Sequence, residues 1–200
     1  MKKYAFFGGS FNPPTIAHKT CAEKILQEIK LDKLFFVPVG DGYKKDGLIN
    51  EKYRYEMLEL ICKETKKLDV CDIELNTKIN YKAIDVFKLI KNKYKDDEIY
   101  FIMGADNFEN ILNWKDCKEL ISNYRFILLN RNKINLEKLI CQNEILNKYR
   151  NNFYCLNNMK EIEISSTFIR NKIKTDEIDL IKDMLDANIL QYIEKNELYK

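Results

Sequence analysis

Short runs of apolar and aromatic residues alternate along this chain with longer segments whose apolar residues recur every three or four positions. The runs suit strands buried on both faces, and the longer segments suit amphipathic helices that cover a sheet. Such alternation predicts an α/β fold: a Rossmann-like, mostly parallel sheet with right-handed crossovers. Strands are expected at 3–7, 33–39, 69–75, 98–103, 124–129 and 152–156, with Pro38 marking an edge or an exit. Helices are expected at 16–29, 50–66, 81–94 and 135–149, with Asn50 as a cap. From Ser165 onwards helical patterns dominate, so residues 165–200 read as a small C-terminal helical subdomain within a single domain, 1–200.

Charge excludes some partners. The 34 Lys and Arg against 31 Asp and Glu leave +3, too balanced a field to hold nucleic acid or a membrane surface. No apolar run approaches the roughly 18 residues that span a bilayer, and the first one stops at Gly8-Gly9, too early for a signal peptide. Six cysteines stand singly without a CxxC pair, and His18 is the lone histidine, so no metal site is expected. The cysteines read as core residues of a reduced, cytoplasmic protein, and the sequence leaves a homo-oligomer open.

In parallel α/β sheets ligands bind beyond the carboxyl ends of the strands, here the loops after Phe7, Val39, Met103 and Leu156. The first of these runs Gly8-Gly9-Ser10-Phe11-Asn12-Pro13-Pro14-Thr15 into the first helix. Glycines let backbone amides approach an anion, and a helix start adds orphan N–H groups and a positive dipole end. It is neither a P-loop, which requires a Lys this loop lacks, nor a GxGxxG fingerprint. Thr15 and His18 lie three apart and share one face of the opening turn. Taken alone, the string also fits a Gly-Pro turn with a capping Thr and a surface His. Ser165-Ser166-Thr167 at a second helix start, with Arg170 one turn later, offers hydroxyls, amides and a fork for two phosphate oxygens. A plain Ser cap with a solvent-facing Arg fits the same residues.

The two strings together resemble a known signature. GGSFNPPTIAH is similar to the [HT]xGH motif of the nucleotidyltransferase superfamily, and Ile164-Ser-Ser-Thr-Phe-Ile-Arg170 to its ISSTxIR motif. Gly104-Ala105-Asp106-Asn107 with Trp114 resembles the GADN…W segment of the nicotinate/nicotinamide mononucleotide adenylyltransferases, and 38–45 their second-strand substrate loop. Thr15 stands where another form of the motif has His, Ala17 where it has Gly, and Asn80-Tyr81-Lys82-Ala83 replaces a Tyr-Thr substrate segment.

The resemblance implies a nucleotidyltransferase fold and adenylyl transfer from ATP to nicotinate mononucleotide or nicotinamide mononucleotide, with Mg²⁺ on the triphosphate. His18, Arg170 and Thr15 would be the catalytic groups. Gly9, Ser10, Phe11, Gly104, Asp106 and Ser165–Thr167 would join His18 and Arg170 in holding ATP. Asn12, Tyr43, Lys44, Lys45 and Trp114 would hold the mononucleotide, with Trp114 stacked on the pyridine ring. From the residues alone, Asp106 reads equally as a helix cap, Trp114 as core, and Lys44-Lys45 as a solvated turn. The glycines and lysines of 40–45 favour a carboxylate acceptor, while Asp41 suits an amide. The rivals are a pantetheine-phosphate adenylyltransferase or cytidylyltransferase of the same superfamily, and a nucleotide-binding module without turnover. His18→Ala is expected to lower kcat by about 10²-fold with folding unaffected, measured as pyrophosphate release beside a thermal melt.

Overall fold

The computed structural model describes residues 1–130, 134–156 and 164–200. Part of the loop after Leu156 therefore lies outside the described residues. Among them, the strands are β1 (Lys3–Gly9), β2 (Lys33–Pro38), β3 (Leu68–Val70), β4 (Glu98–Gly104), β5 (Arg125–Leu129) and β6 (Phe153–Leu156), in the sheet order β3-β2-β1-β4-β5-β6. The predicted parallel α/β architecture is present. The chain forms two compact units, Met1–Gly8 with Tyr81–Glu161, and Gly9–Asn80 with Ile162–Lys200.

The first unit holds most of β1 with β4, β5 and β6, all parallel. Phe6, Phe101, Phe126 and Phe153 fall in one register row across these four strands. Paired residues share a sheet face, so the row forms an aromatic stripe. Helix α3 (Ala83–Lys93) covers it: Phe87 stacks face to face on Phe101, with ring centroids 3.4 Å apart, and Ile84 and Ile90 are buried beside it. Helices α4 (Ala105–Glu109), α5 (Cys117–Asn123), α6 (Leu136–Gln142) and α7 (Glu144–Lys148) complete this unit. The single helix expected over 135–149 is two, because the Asn143 side chain accepts from the amides of Ile145 and Leu146 and starts α7 afresh.

The second unit holds β2, whose residues 34–38 are all buried, paired with β3. It also holds α1 (Ile16–Glu28), α2 (Glu51–Cys62), α8 (Ser166–Lys174) and α9 (Ala187–Lys195). Pro38 is the last residue of β2, an exit, where its missing N–H costs no ladder bond. Strand β3 ends at Val70 instead of Leu75, because the chain closes a turn with Leu75 N donating to Asp72 O. Helix α2 ends at Cys62, short of 66, in a turn where Thr65 N donates to Cys62 O. The cysteines are not uniformly core: Cys21 and Cys71 are buried, whereas Cys141 is exposed.

Glu74 follows β3 and is only 8% exposed. Burial pushes its carboxyl up from an ordinary 4.5 to about 7, against the opposing pull of the Arg54 guanidinium. With the folded value above the unfolded one, the folded state binds the extra proton between these pH values. Stability therefore falls as pH rises from 4.5 to 7. Glu74→Gln is expected to remove that slope and to gain at most about 3 kcal/mol above pH 7. Denaturant unfolding of both proteins at several pH values checks this, and an unchanged slope in the variant refutes it.

Candidate active site

The loop that leaves β1 enters α1 through a capping box. Thr15 is the N-cap; its side chain receives the amide of His18, and the His18 side chain receives the amide of Thr15. That second bond runs from Thr15 N to His18 Nδ1 at 3.0 Å. A capping box ordinarily places Glu or Gln at this position, and an imidazole nitrogen replaces the carboxylate here. Because a backbone N–H can only donate, Nδ1 must accept, and the hydrogen of the neutral ring sits on Nε2. Behind the ring lies Phe11, edge-on to His18 with centroids 5.2 Å apart, and edge-on to Phe36 of β2 at 5.4 Å. Phe11 reaches this place with φ of 46°, an uncommon backbone for a bulky residue. A Cβ on Gly9 would lie 3.0 to 3.2 Å from three Phe11 ring atoms, so Gly9 makes room for the ring.

The second motif packs on the same loop. Ser165 caps α8 by accepting from Phe168 N, Ser166 Oγ donates to Pro13 O at 2.9 Å, and Arg170 Nη1 donates to Asn12 O at 2.8 Å. Arg170 Nη2 donates to Thr167 Oγ1 at 3.1 Å. A third segment, 40–49, joins them: Asn12 Nδ2 donates to Gly47 O at 2.7 Å, and Lys45 Nζ donates to Ser10 Oγ at 3.2 Å. Lys45, rather than Lys44, is thus the lysine that reaches the first loop; Tyr43 and Lys44 are exposed. The starts of α1 and α8, His18, Arg170 and Lys45 are gathered by one loop.

Three residues act differently from the sequence expectation. Thr15 is 1% exposed, and its hydroxyl lies 2.8 Å from His18 Nδ1, so it orients the imidazole instead of meeting a phosphate. The Phe11 ring is buried and buttresses His18, which corrects its placement as an ATP contact. Asn12 is 3% exposed with its side chain bonded to Gly47, Ile49 and Tyr199, so it ties loops together and offers the mononucleotide no free amide. His18 itself is more than a surface residue. Its loss removes an acceptor from the N-cap, so His18→Ala is expected to cost about 1 kcal/mol of stability instead of none.

Gly104, Asp106 and Trp114 belong to the first unit. Gly104, not Asp106, is the N-cap of α4. Asp106 is exposed in the first turn, and a Cβ on Gly104 would fall 2.3 Å from its Oδ1, so the carboxylate folds back over the glycine. Trp114 is half-buried and ends a short 3-10 turn at Ile111–Asn113.

Sequence reading missed Arg54 and Tyr199. Arg54 is fully buried, with Nε donating to Ile49 O at 2.9 Å and Nη1 to Ser10 O at 3.1 Å. The Tyr199 hydroxyl donates to Asn12 Oδ1 at 2.9 Å. The Arg54–Ser10 and Tyr199–Asn12 bonds join positions distant in sequence, and periodicity within α2 or near the chain end carries no signal for them.

Two capped helix starts meeting on one glycine-led loop, with an imidazole and a guanidinium beside them, is an arrangement suited to nucleotidyl transfer. A family model described as cytidylyltransferase-like matches residues 6–172. A "probable nicotinate-nucleotide adenylyltransferase" of Clostridium acetobutylicum is 36% identical over 203 residues, covering 100% of both chains. One of Acholeplasma laidlawii, with the same name, is 34% identical over 97% of this chain and 96% of its own. The chain belongs to the cytidylyltransferase-like family and, within it, to the nicotinate-nucleotide adenylyltransferases. Among solved structures, the nicotinic acid mononucleotide adenylyltransferase of Plasmodium falciparum complexed with NaAD has the same fold, with a TM-score of 0.81 at 24% identity over 100% of this chain and 98% of that one.

Gly9→Ala tests the buttress. The added methyl must push the Phe11 ring, which is wedged between His18 and Phe36. Turnover is expected to fall by roughly ten-fold or more with native circular dichroism, since displacing a positioned group by 1 Å costs up to about 10²-fold. Wild-type turnover in the folded variant would show that the imidazole does not depend on Phe11.

Proposed function

We propose that this protein transfers the adenylyl group of ATP to the phosphate of nicotinate mononucleotide, releasing pyrophosphate and forming the dinucleotide used in NAD biosynthesis. The observation that carries the reading is the convergence of His18, Arg170 and two helix starts on the loop 9–15, in a chain of this family. The mononucleotide phosphate is already an anion and needs no general base. One of its oxygens bonds to the α-phosphorus of ATP, the bond from that phosphorus to the bridging oxygen breaks, and the electron pair leaves on pyrophosphate. The protein's work is alignment and stabilisation of charge on the leaving group. His18 donates from Nε2, since Nδ1 is occupied by the Thr15 amide. Arg170 uses one hydrogen on each terminal nitrogen for Asn12 and Thr167, and its other three N–H groups serve phosphate oxygens. Asp106 on ribose and Trp114 on the pyridine ring follow from the family resemblance.

Magnesium arrives with ATP as part of the substrate. In this reading the triphosphate supplies the ion's main ligands.

The acceptor's acid form is favoured by Asp41. Its carboxylate accepts from Asn50 Nδ2 at 2.6 Å and Glu51 N at 2.8 Å, and lies 3.6 Å from Arg54 Nη2. Those commitments leave it poorly placed to receive the N–H of a carboxamide, while Lys44 and Lys45 remain as cations in the same loop. Pyrophosphate release with Mg-ATP is therefore expected to show a higher kcat/KM for nicotinate mononucleotide than for nicotinamide mononucleotide. A clear preference for the amide would reverse the acceptor assignment. Turnover of phosphopantetheine with neither pyridine substrate active would overturn the function.

A further inference from the structure

We propose that Tyr199 is a positioning residue for this reaction: through Asn12 it fixes the segment 45–49 against the loop 9–15, and thereby the acceptor side of the site. The inference rests on the functional reading above for its kinetic consequence, and on hydrogen bonding alone for the mechanical one. The Tyr199 hydroxyl is buried and donates to Asn12 Oδ1 at 2.9 Å. The same oxygen receives a longer bond from Ile49 N, at 3.4 Å, and the amide nitrogen donates to Gly47 O at 2.7 Å. The two ends of a carboxamide differ only in whether they donate or accept, so their partners set its orientation. Tyr199 makes a shorter bond to Oδ1 than Ile49 N does and so holds Nδ2 toward Gly47. Gly47 lies two residues past Lys45, whose ammonium reaches Ser10.

Arg54 provides a parallel tie between the same segments, bonding Ile49 O and Ser10 O. Removal of one hydroxyl therefore leaves the fold standing while it loosens the Gly47 end. The ATP side is fastened to the main chain, by the Thr15–His18 capping box and by the bonds of Ser166 to Pro13 O and Arg170 to Asn12 O, and not to the Asn12 carboxamide that Tyr199 orients. The consequence of losing the hydroxyl is selective: it falls on the acceptor.

Tyr199→Phe keeps the ring and deletes only the donor. It is expected to raise the KM for nicotinate mononucleotide about ten-fold, the scale of one buried hydrogen bond, with the KM for ATP within about two-fold of wild type. In an Asn12→Ala background the same substitution should add nothing, since the hydroxyl then has no carboxamide to orient. Should Asn12→Ala fail to fold, tryptic cleavage after Lys44 and Lys45 in the single variant serves instead, and is expected to be about ten-fold faster than in wild type. Equal KM values in Tyr199→Phe and wild type, a parallel rise for both substrates, additivity in the double variant, or unchanged cleavage would each overturn the proposal. A wild-type protein inactive on either pyridine mononucleotide would instead refute the functional reading, and the cleavage rate would still decide whether Tyr199 holds the segment.

Discussion

A guanidinium without exposed surface constrains the site more than any other group. Removing a cation from water costs several kcal/mol unless partners replace its hydration, and Arg54 recovers this from two backbone carbonyls and the nearby Asp41 carboxylate. Burial lowers its pKa, Asp41 and Glu51 oppose that, and an arginine remains charged throughout. The carbonyls of Ser10 and Ile49 must therefore stay where Arg54 requires them. That requirement fixes the start of the loop 9–15 from beneath, and the outer contacts of Lys45, Asn12 and Arg170 are built on it.

Orientation in this site is achieved mostly by backbone groups. The imidazole of His18 is set by an amide, Arg170 by a carbonyl, and Ser166 by another carbonyl. Backbone partners carry no titratable proton, so the carbonyls that hold Arg170 and Ser166 keep their accepting role at any pH, as carboxylates would not. The neutral tautomer of His18 follows from the same economy, since its Nδ1 faces an obligatory donor.

Much of the architecture was legible because burial on two faces writes itself as uninterrupted apolar sequence. The strands β4 and β5 are examples, and their register aligns phenylalanines whose equivalence no local pattern reveals. The split at Asn143 was hidden because an asparagine in a polar stretch looks the same whether it caps a helix or faces water. Within the site, types and spacing pointed to the loop 9–15 and to Ser165–Arg170, and the resemblance to the pair Lys44-Lys45; the structure brings the first two together and adds Lys45 of the pair. The division of labour was not legible. Whether Thr15 meets a ligand or a neighbouring ring depends on which way its hydroxyl turns, and Phe11 lies inward only because its backbone takes a left-handed conformation. Arg54 and Tyr199 act across 44 and 187 residues of sequence on Ser10 and Asn12, beyond any periodicity.

The segment 40–49 has two glycines at its base. A Cβ on Gly40 would stand 2.1 Å from Glu74 O, and one on Gly42 would stand 2.3 Å from Ile79 O. Both obstacles are main chain, which cannot swing aside as a side chain can. Positions 40 and 42 are thus closed to every other amino acid, however small, unless the neighbouring strand exit moves with them. Variation in this segment is channelled into the exposed residues 43–46, where side chains can be exchanged without disturbing the glycine base that carries them.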